Sequence, residues 1–293
     1  MVGGRGVVLA PQSGVIEPEL FLCIEVDAGQ KETLVRQASA IERDWLPAEQ
    51  VRVAMEFFFD ADTERVTARR CVRFDDLLLE ETQAPLPDGA QVAQVLAAAA
   101  VERLDRVLPP VDSAAGAYRL RVRCLRQWMP ELELPGLDDA ELRELVTWLC
   151  QGCRSFADLR RVDWLAALQG KLTHAQRQAV EREAPERIEV PSGSRLALHY
   201  EEGRPPVLAV RIQEMFGLAD TPHIAGGRVR VLLHLLAPNF RPQQVTDDLA
   251  SFWNNTYLQV RKDLRARYPK HAWPEDPWNA APQRRPQRKR PDE

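Results

Sequence analysis

The sequence predicts an α+β protein, with a small N-terminal β module, a central helical segment and a C-terminal antiparallel β meander closed by a long helix. Three observations carry that reading. Short apolar runs divided by turn residues fill residues 1–75, and the same pattern returns over 186–238. Between them, residues 90–185 change to a helical period. A chain of 293 residues, 45% of them hydrophobic, has room for two domains of roughly 100–200 residues each.

In the first segment, strands are expected at LFLCIEV (20–26), TLVRQASAI (33–41), VRVAMEFFF (51–59) and RVTARRCVRF (65–74). Asp60-Ala61-Asp62-Thr63 joins the last two as a hairpin, and strands in such succession predict a small barrel or sandwich. In the helical segment, VAQVLAAAAVERLDRVL places Val92, Val95, Leu96, Ala99, Arg103 and Leu104 on one stripe. Asp138, three residues before Glu141, starts a helix whose apolar face is Leu142, Leu145, Val146 and Leu149, and Gly152 stops it. Ser155 and Gly170 bound the next helix. Thr173 and Gln176 form a capping-box pair for the one after, which ends before Pro185.

RIEV, RLALHY, PVLAVRI and RVRVLLHLLA read as about four strands of a meander, with a short helix at QEMFG. Thr246 is expected to open the closing helix. Asp247 and Asp248 lie in its first turn, where the helix dipole favours acids, and Leu249, Phe252, Trp253, Tyr257, Val260 and Leu264 lie on its buried face. Pro269 ends it. The polar, basic segment from 278 onward reads as disordered.

Absences narrow the function. The sequence holds no GxxxxGK[ST] phosphate loop, GxGxxG, HExxH or GxSxG, so no catalytic residue and no metal ligand is assigned. Cys150 and Cys153 form a lone CxxC on a helix, without the second pair or the histidines that a zinc site requires, and are expected to be structural. The five cysteines are scattered, which fits a reducing cytoplasm, and no apolar run approaches the roughly 18 residues of a membrane span. Asp75-Asp76, Glu80-Glu81, Asp138-Asp139 and Asp247-Asp248 are read as structural, two of the pairs as helix caps. PSGS (191–194) is a hairpin turn whose amides could cradle phosphate only in a nest geometry. His199 and His234 fall in strands.

Charge is uneven. Residues 241–293 carry 11 Lys+Arg against 7 Asp+Glu, a net +4, and the first 240 residues carry the remaining −8. Contact with a polyanion should therefore come from the C-terminal end. The candidate residues there are Arg261, Lys262, Arg265, Arg267, Lys270 and Trp273, then Arg284, Arg285, Arg288, Lys289 and Arg290. Arginine and lysine neutralise phosphates, and an exposed aromatic stacks on unpaired bases. The plainer reading makes Tyr268 and Trp273 packing residues that fix the chain's exit from the helix.

LLAPNFRPQQVT, FWNNTY and RYPKHAWPEDP, with APERIEVPSGS and GGRGVVL further upstream, resemble the C-terminal region of bacterial HrpB-type ATP-dependent DExH-box RNA helicases. The resemblance runs from residue 1 to about 277 and is most specific in the last third. It implies an OB-like β module over 1–80 that helps form an RNA channel, and a helical region over 81–185. It further implies a helicase-associated α+β domain over 186–277, and the basic segment 278–293 beyond it is read as a disordered tail from its composition alone. The partners it implies are RNA or another single-stranded nucleic acid, and motor domains attached in cis or separated as a split product. ATP and Mg²⁺ would belong to those motor domains, leaving this part without ATPase or unwinding activity of its own. The alternative is a protein-interaction module that does not bind nucleic acid.

Overall fold

The computed structural model describes residues 1–4, 6–16, 18–28 and 33–284. It divides into two compact units. One comprises Met1–Val107 with Val146–Arg161, and the other Leu108–Leu145 with the chain from Val162 onward.

In the first unit β1 (Val8–Leu9), β2 (Phe21–Ala28) and β3 (Thr33–Ala40) form a sheet in the order β1-β3-β2. A second, antiparallel sheet contains β4 (Val51–Asp60), β5 (Arg65–Phe74) and β6 (Leu77–Ala84). The hairpin expected at Asp60–Thr63 is present. Asp60 Oδ1 accepts from the Asp62 amide at 2.9 Å and its Oδ2 from Thr63 Oγ1 at 2.7 Å, which closes the turn from a side chain. β6 is absent from the sequence reading. Asp75-Asp76 supplies the turn into it, with Asp75 at φ 49°, and Glu80 and Glu81 pair with Arg43 and Arg69. On β5, Val66 and Ala68 alternate inward, whereas the adjacent Cys71 and Val72 are both buried where the register shifts after Val72.

Helices α1 (Ala90–Glu102) and α2 (Leu104–Val107) follow, then α3 (Ala114–Trp128) and α4 (Asp139–Leu149). α4 starts in the second unit and ends in the first, and α5 (Phe156–Leu159) completes the first unit. This returning segment is stitched to β5. The Val66 amide donates to Arg154 O and the Phe156 amide to Glu64 O, each at 2.9 Å. Phe156, fully buried, packs its ring 4.7 Å from that of Phe59. The single helix expected from Ser155 to Gly170 is two, because Asp163 caps a new helix, α6 (Trp164–Gly170), by accepting from the Ala166 amide. α7 (His174–Glu183) has the expected capping box. The Thr173 hydroxyl accepts from the Gln176 amide and the Gln176 side chain accepts from the Thr173 amide.

The second unit's main sheet has the order β13-β12-β9-β8-β7. Its strands are β7 (Arg187–Glu189), β8 (Arg195–His199), β9 (Val207–Arg211), β12 (Leu232–Leu236) and β13 (Pro242–Thr246), with a small hairpin of β10 (His223–Ile224) and β11 (Val229–Arg230) between. This corrects the antiparallel meander. β12 lies parallel to β9, because residues 212–231 leave the sheet and return on the same side of the ladder rather than turning back at once. The short helix expected at QEMFG is a single 3₁₀ turn, Ile212–Glu214.

The closing helix also departs from expectation. Thr246 ends β13, and Asp248 is the cap, accepting from the Ser251 amide at 2.8 Å. α8 (Leu249–Ser251) then passes through a π turn at Phe252–Thr256 into α9 (Tyr257–Arg267). The wider turn accommodates Phe252, Trp253 and Tyr257, which pack with Phe216 as tilted and edge-on rings with centroids 5.0–6.2 Å apart. Among the described residues, no helix is long and apolar enough to cross a membrane.

Candidate nucleic-acid interface

The exit from α9 is built on backbone carbonyls. After Tyr268 and Pro269 the chain turns back along the helix, where two α9 side chains hold it. Tyr257 donates its hydroxyl to Pro274 O at 2.9 Å, and Arg261 donates Nε to Trp273 O at 2.8 Å and Nη2 to Glu275 at 3.0 Å. Trp273 donates its indole N–H to Tyr268 O at 3.0 Å and is only 7% exposed. Burial pushes the Tyr257 phenol up and, with help from Arg211, holds His271 below the usual imidazole range.

The structure thus separates the residues singled out in the sequence. Arg261 and Trp273 are pins of the exit, bonded to its carbonyls and largely buried. Lys262, Arg265, Arg267 and Lys270 are exposed and have no ion pair among the described residues. Lys262 and Arg265 stand three apart on one helix face. Arg267 falls on another, and Lys270 lies in the turn beyond. Asp263 is the only acid in α9. Arg284 is exposed at the end of the described chain, and Arg285, Arg288, Lys289 and Arg290 lie outside the described residues.

PSGS is a hairpin turn with no amide cradle. Gly193 N donates to Val190 O, Ser194 N to Ser192 Oγ and Ser192 N to Glu214 O. The two serine hydroxyls converge on one carboxylate oxygen, Glu214 Oε2, at 2.9 Å from Ser192 and 2.5 Å from Ser194, while Arg211 Nε reaches Oε1 at 2.8 Å. Glu214 is buried, which alone would raise its pKa. The donors Ser194, Arg211 and Ser192 outweigh burial and hold it below the usual carboxylate range.

Cys150 and Cys153 are buried, and burial pushes the Cys150 thiol up to about 12, so both act as small apolar groups. The sequence lacks a phosphate loop, and among the described residues no group of three His, Cys, Asp or Glu side chains could hold a metal ion.

The sequence reading missed Phe240. It is 67% exposed in the loop joining β12 and β13, with the Arg211 guanidinium over its ring at 5.4 Å. An isolated aromatic in a loop leaves no periodic trace. The available signal was its place between prolines in APNFRP, which stiffens a tip and presents what it carries.

Residues 145–277 match the family described as ATP-dependent helicase C-terminal. Over 187 residues the chain is 47% identical to the ATP-dependent RNA helicase HrpB of Escherichia coli (strain K12), covering 62% of this chain and 23% of that protein. A crystal structure of E. coli DExH-box NTPase HrpB superposes with a TM-score of 0.67 at 34% identity, over 90% of this chain and 34% of that one. A crystal structure of Escherichia coli DEAH/RHA helicase HrpB gives 0.57 at 32% identity, over 92% and 35%. The chain therefore spans about a quarter of the curated relative's length and about a third of each solved chain.

Proposed function

This chain resembles the C-terminal region of HrpB-type ATP-dependent helicases, and from that premise we propose that it is an accessory, RNA-contacting part of such a helicase. By itself it neither hydrolyses ATP nor unwinds. Motor domains, in cis or as a separate product, would be its partner in the cytoplasm and would hold ATP and Mg²⁺. The N-terminal strands would serve as an OB-like wall of the RNA path.

The observation that carries the reading is the set Lys262, Arg265, Arg267 and Lys270, exposed and unpaired among the described residues, on a hydrogen-bonded exit in the basic part of an otherwise acidic chain. Free cations on a fixed scaffold neutralise phosphates without first breaking ion pairs. A filter-binding titration of the full chain with single-stranded RNA tests it. Affinity should fall steeply with salt. Replacing all four residues with alanine should weaken binding and flatten the slope, by about 0.7 for each phosphate no longer neutralised. Absent binding at low salt, or binding indifferent to salt, would refute the reading.

A second reading, a protein-interaction module, rests on apolar side chains left exposed in the first unit. Leu22 and Ile24 on β2 are 57% and 54% exposed, and Val53 and Met55 on β4 are 57% and 44%. RNA affinity unaltered by removal of the four cations and of the tail arginines would favour it.

A further inference from the structure

We propose that Phe240 is a stacking platform for an unpaired nucleobase, with Arg241 and Arg284 taking the adjoining phosphates. The inference rests on the RNA-contacting reading and gives it a location outside α9.

Phe240 is held out rather than left out. Its φ of 66° lies in the left-handed region, which a bulky side chain enters only at a cost of roughly 1–2 kcal/mol. The loop enforces that conformation. The Phe240 amide donates to Ala237 O and the Ala237 amide to Arg241 O, both at 2.9 Å, and Asn239 Oδ1 accepts from the Arg241 amide at 3.2 Å. A strained, rigid tip carrying a 67% exposed ring is not explained by packing, since the ring buries little.

The surroundings choose the ligand. The Arg211 guanidinium covers one face of the ring and is itself fixed by Glu214 and by a 2.7 Å bond from Nη2 to Arg284 O. That bond brings the Arg284 backbone to the same place. The Arg284 guanidinium lies over the PSGS turn, with Nη2 3.1 Å from where a Gly193 side chain would begin. Arg241 and Arg284 are exposed and unpaired among the described residues. Glu214, the acid bonded to Arg211, is buried and already bonded by three side chains. A π surface backed by a guanidinium, with one free cation next to it in sequence and another over the adjoining PSGS turn, matches a base and its phosphates better than an apolar peptide.

The test measures fluorescence anisotropy of a labelled oligouridine RNA with the full chain across a salt series. Phe240→Ala should weaken binding roughly tenfold with the salt slope unchanged, as expected for removal of one base stack. Phe240→Trp should retain affinity and Phe240→Leu should not. Arg241→Ala with Arg284→Ala should flatten the slope. An oligomer carrying 5-iodouridine should photo-crosslink to Phe240. Unchanged thermal unfolding of each variant keeps the comparison clean. If the wild type binds but the Phe240 variants bind equally well, or if leucine fully replaces phenylalanine, the platform is refuted while the broader reading stands on the α9 cations. If the wild type does not bind, both fall. Weaker affinity for a helicase motor fragment with RNA affinity intact would mark Phe240 as a protein-facing residue and also refutes the proposal.

Discussion

Glu214 is a buried carboxylate retained for what it ties together. It joins the PSGS turn, the end of β9 and, through Arg211, the last described residue of the chain. Unfolded, its carboxyl titrates near ~4.3. Folded, its pKa is lower, because three donors outweigh burial. Its contribution to stability is therefore complete above the unfolded value and is lost as pH falls through the folded one. Chemical denaturation at stepped pH should show wild-type stability dropping below the ordinary carboxylate range, with a smaller drop in Glu214→Gln. At neutral pH that variant should lose about 1.5–3 kcal/mol, the usual worth of a hydrogen bond to a charged group. Arg121 is a comparable case. It is 4% exposed and donates to Ala184 O at 2.6 Å and to Glu181 at 2.9 Å. Arg121→Ala should cost about 1–3 kcal/mol in a urea melt, since buried Ala184 O loses its donor, while the exposed Glu181 loses little with its partner.

At the scale of elements, α3 depends on a glycine. A side chain at Gly116 would begin 2.1 Å from Pro110 O and 2.7 Å from Val111 Cα, both backbone atoms that cannot swing aside. Gly116→Ala should lower the thermal midpoint by an amount matching about 1–3 kcal/mol or more, despite alanine's better helix propensity, and a neutral result would mean that the Pro110 turn can move. α3 escaped the sequence reading for a physical reason. Arg119, Arg121, Arg123 and Arg126 interrupt its stripe, and one of them is buried by an ion pair that no periodicity records. The β4–β5 hairpin and the α7 capping box were legible because both are written within four residues. The parallel pairing of β9 with β12 and the strand β13 were not, because partners distant in the sequence decide them. The cations of α9 were visible as residues, but their sorting into free and pinned was not. That sorting depends on where the chain returns after Pro269.

At the scale of the whole molecule, the chain passes between its two units at Val107, Leu145 and Arg161, so sequence blocks and folded bodies do not coincide. Residues 1–107 need a segment that arrives some forty residues later. Phe156, fully buried against Phe59, is the centre of that repair. Phe156→Ala should cost about 3–5 kcal/mol, a large part of an ordinary domain's stability. Limited trypsin digestion should then open the Arg65–Arg73 strand first, while the arginines of α3 stay protected. Equal opening of both would show that Phe156 has a wider role.

The grip of Arg211 on the Arg284 carbonyl has a practical consequence. The end of the described chain is thereby moored beside the PSGS hairpin and the Phe240 tip. A fluorophore on a cysteine put at the exposed Ala281, three residues upstream, would sense ligands arriving at that corner, and a bulky label there would obstruct them. The polypeptide labelled there and the polypeptide labelled at its N-terminus should accordingly disagree about how tightly RNA is held.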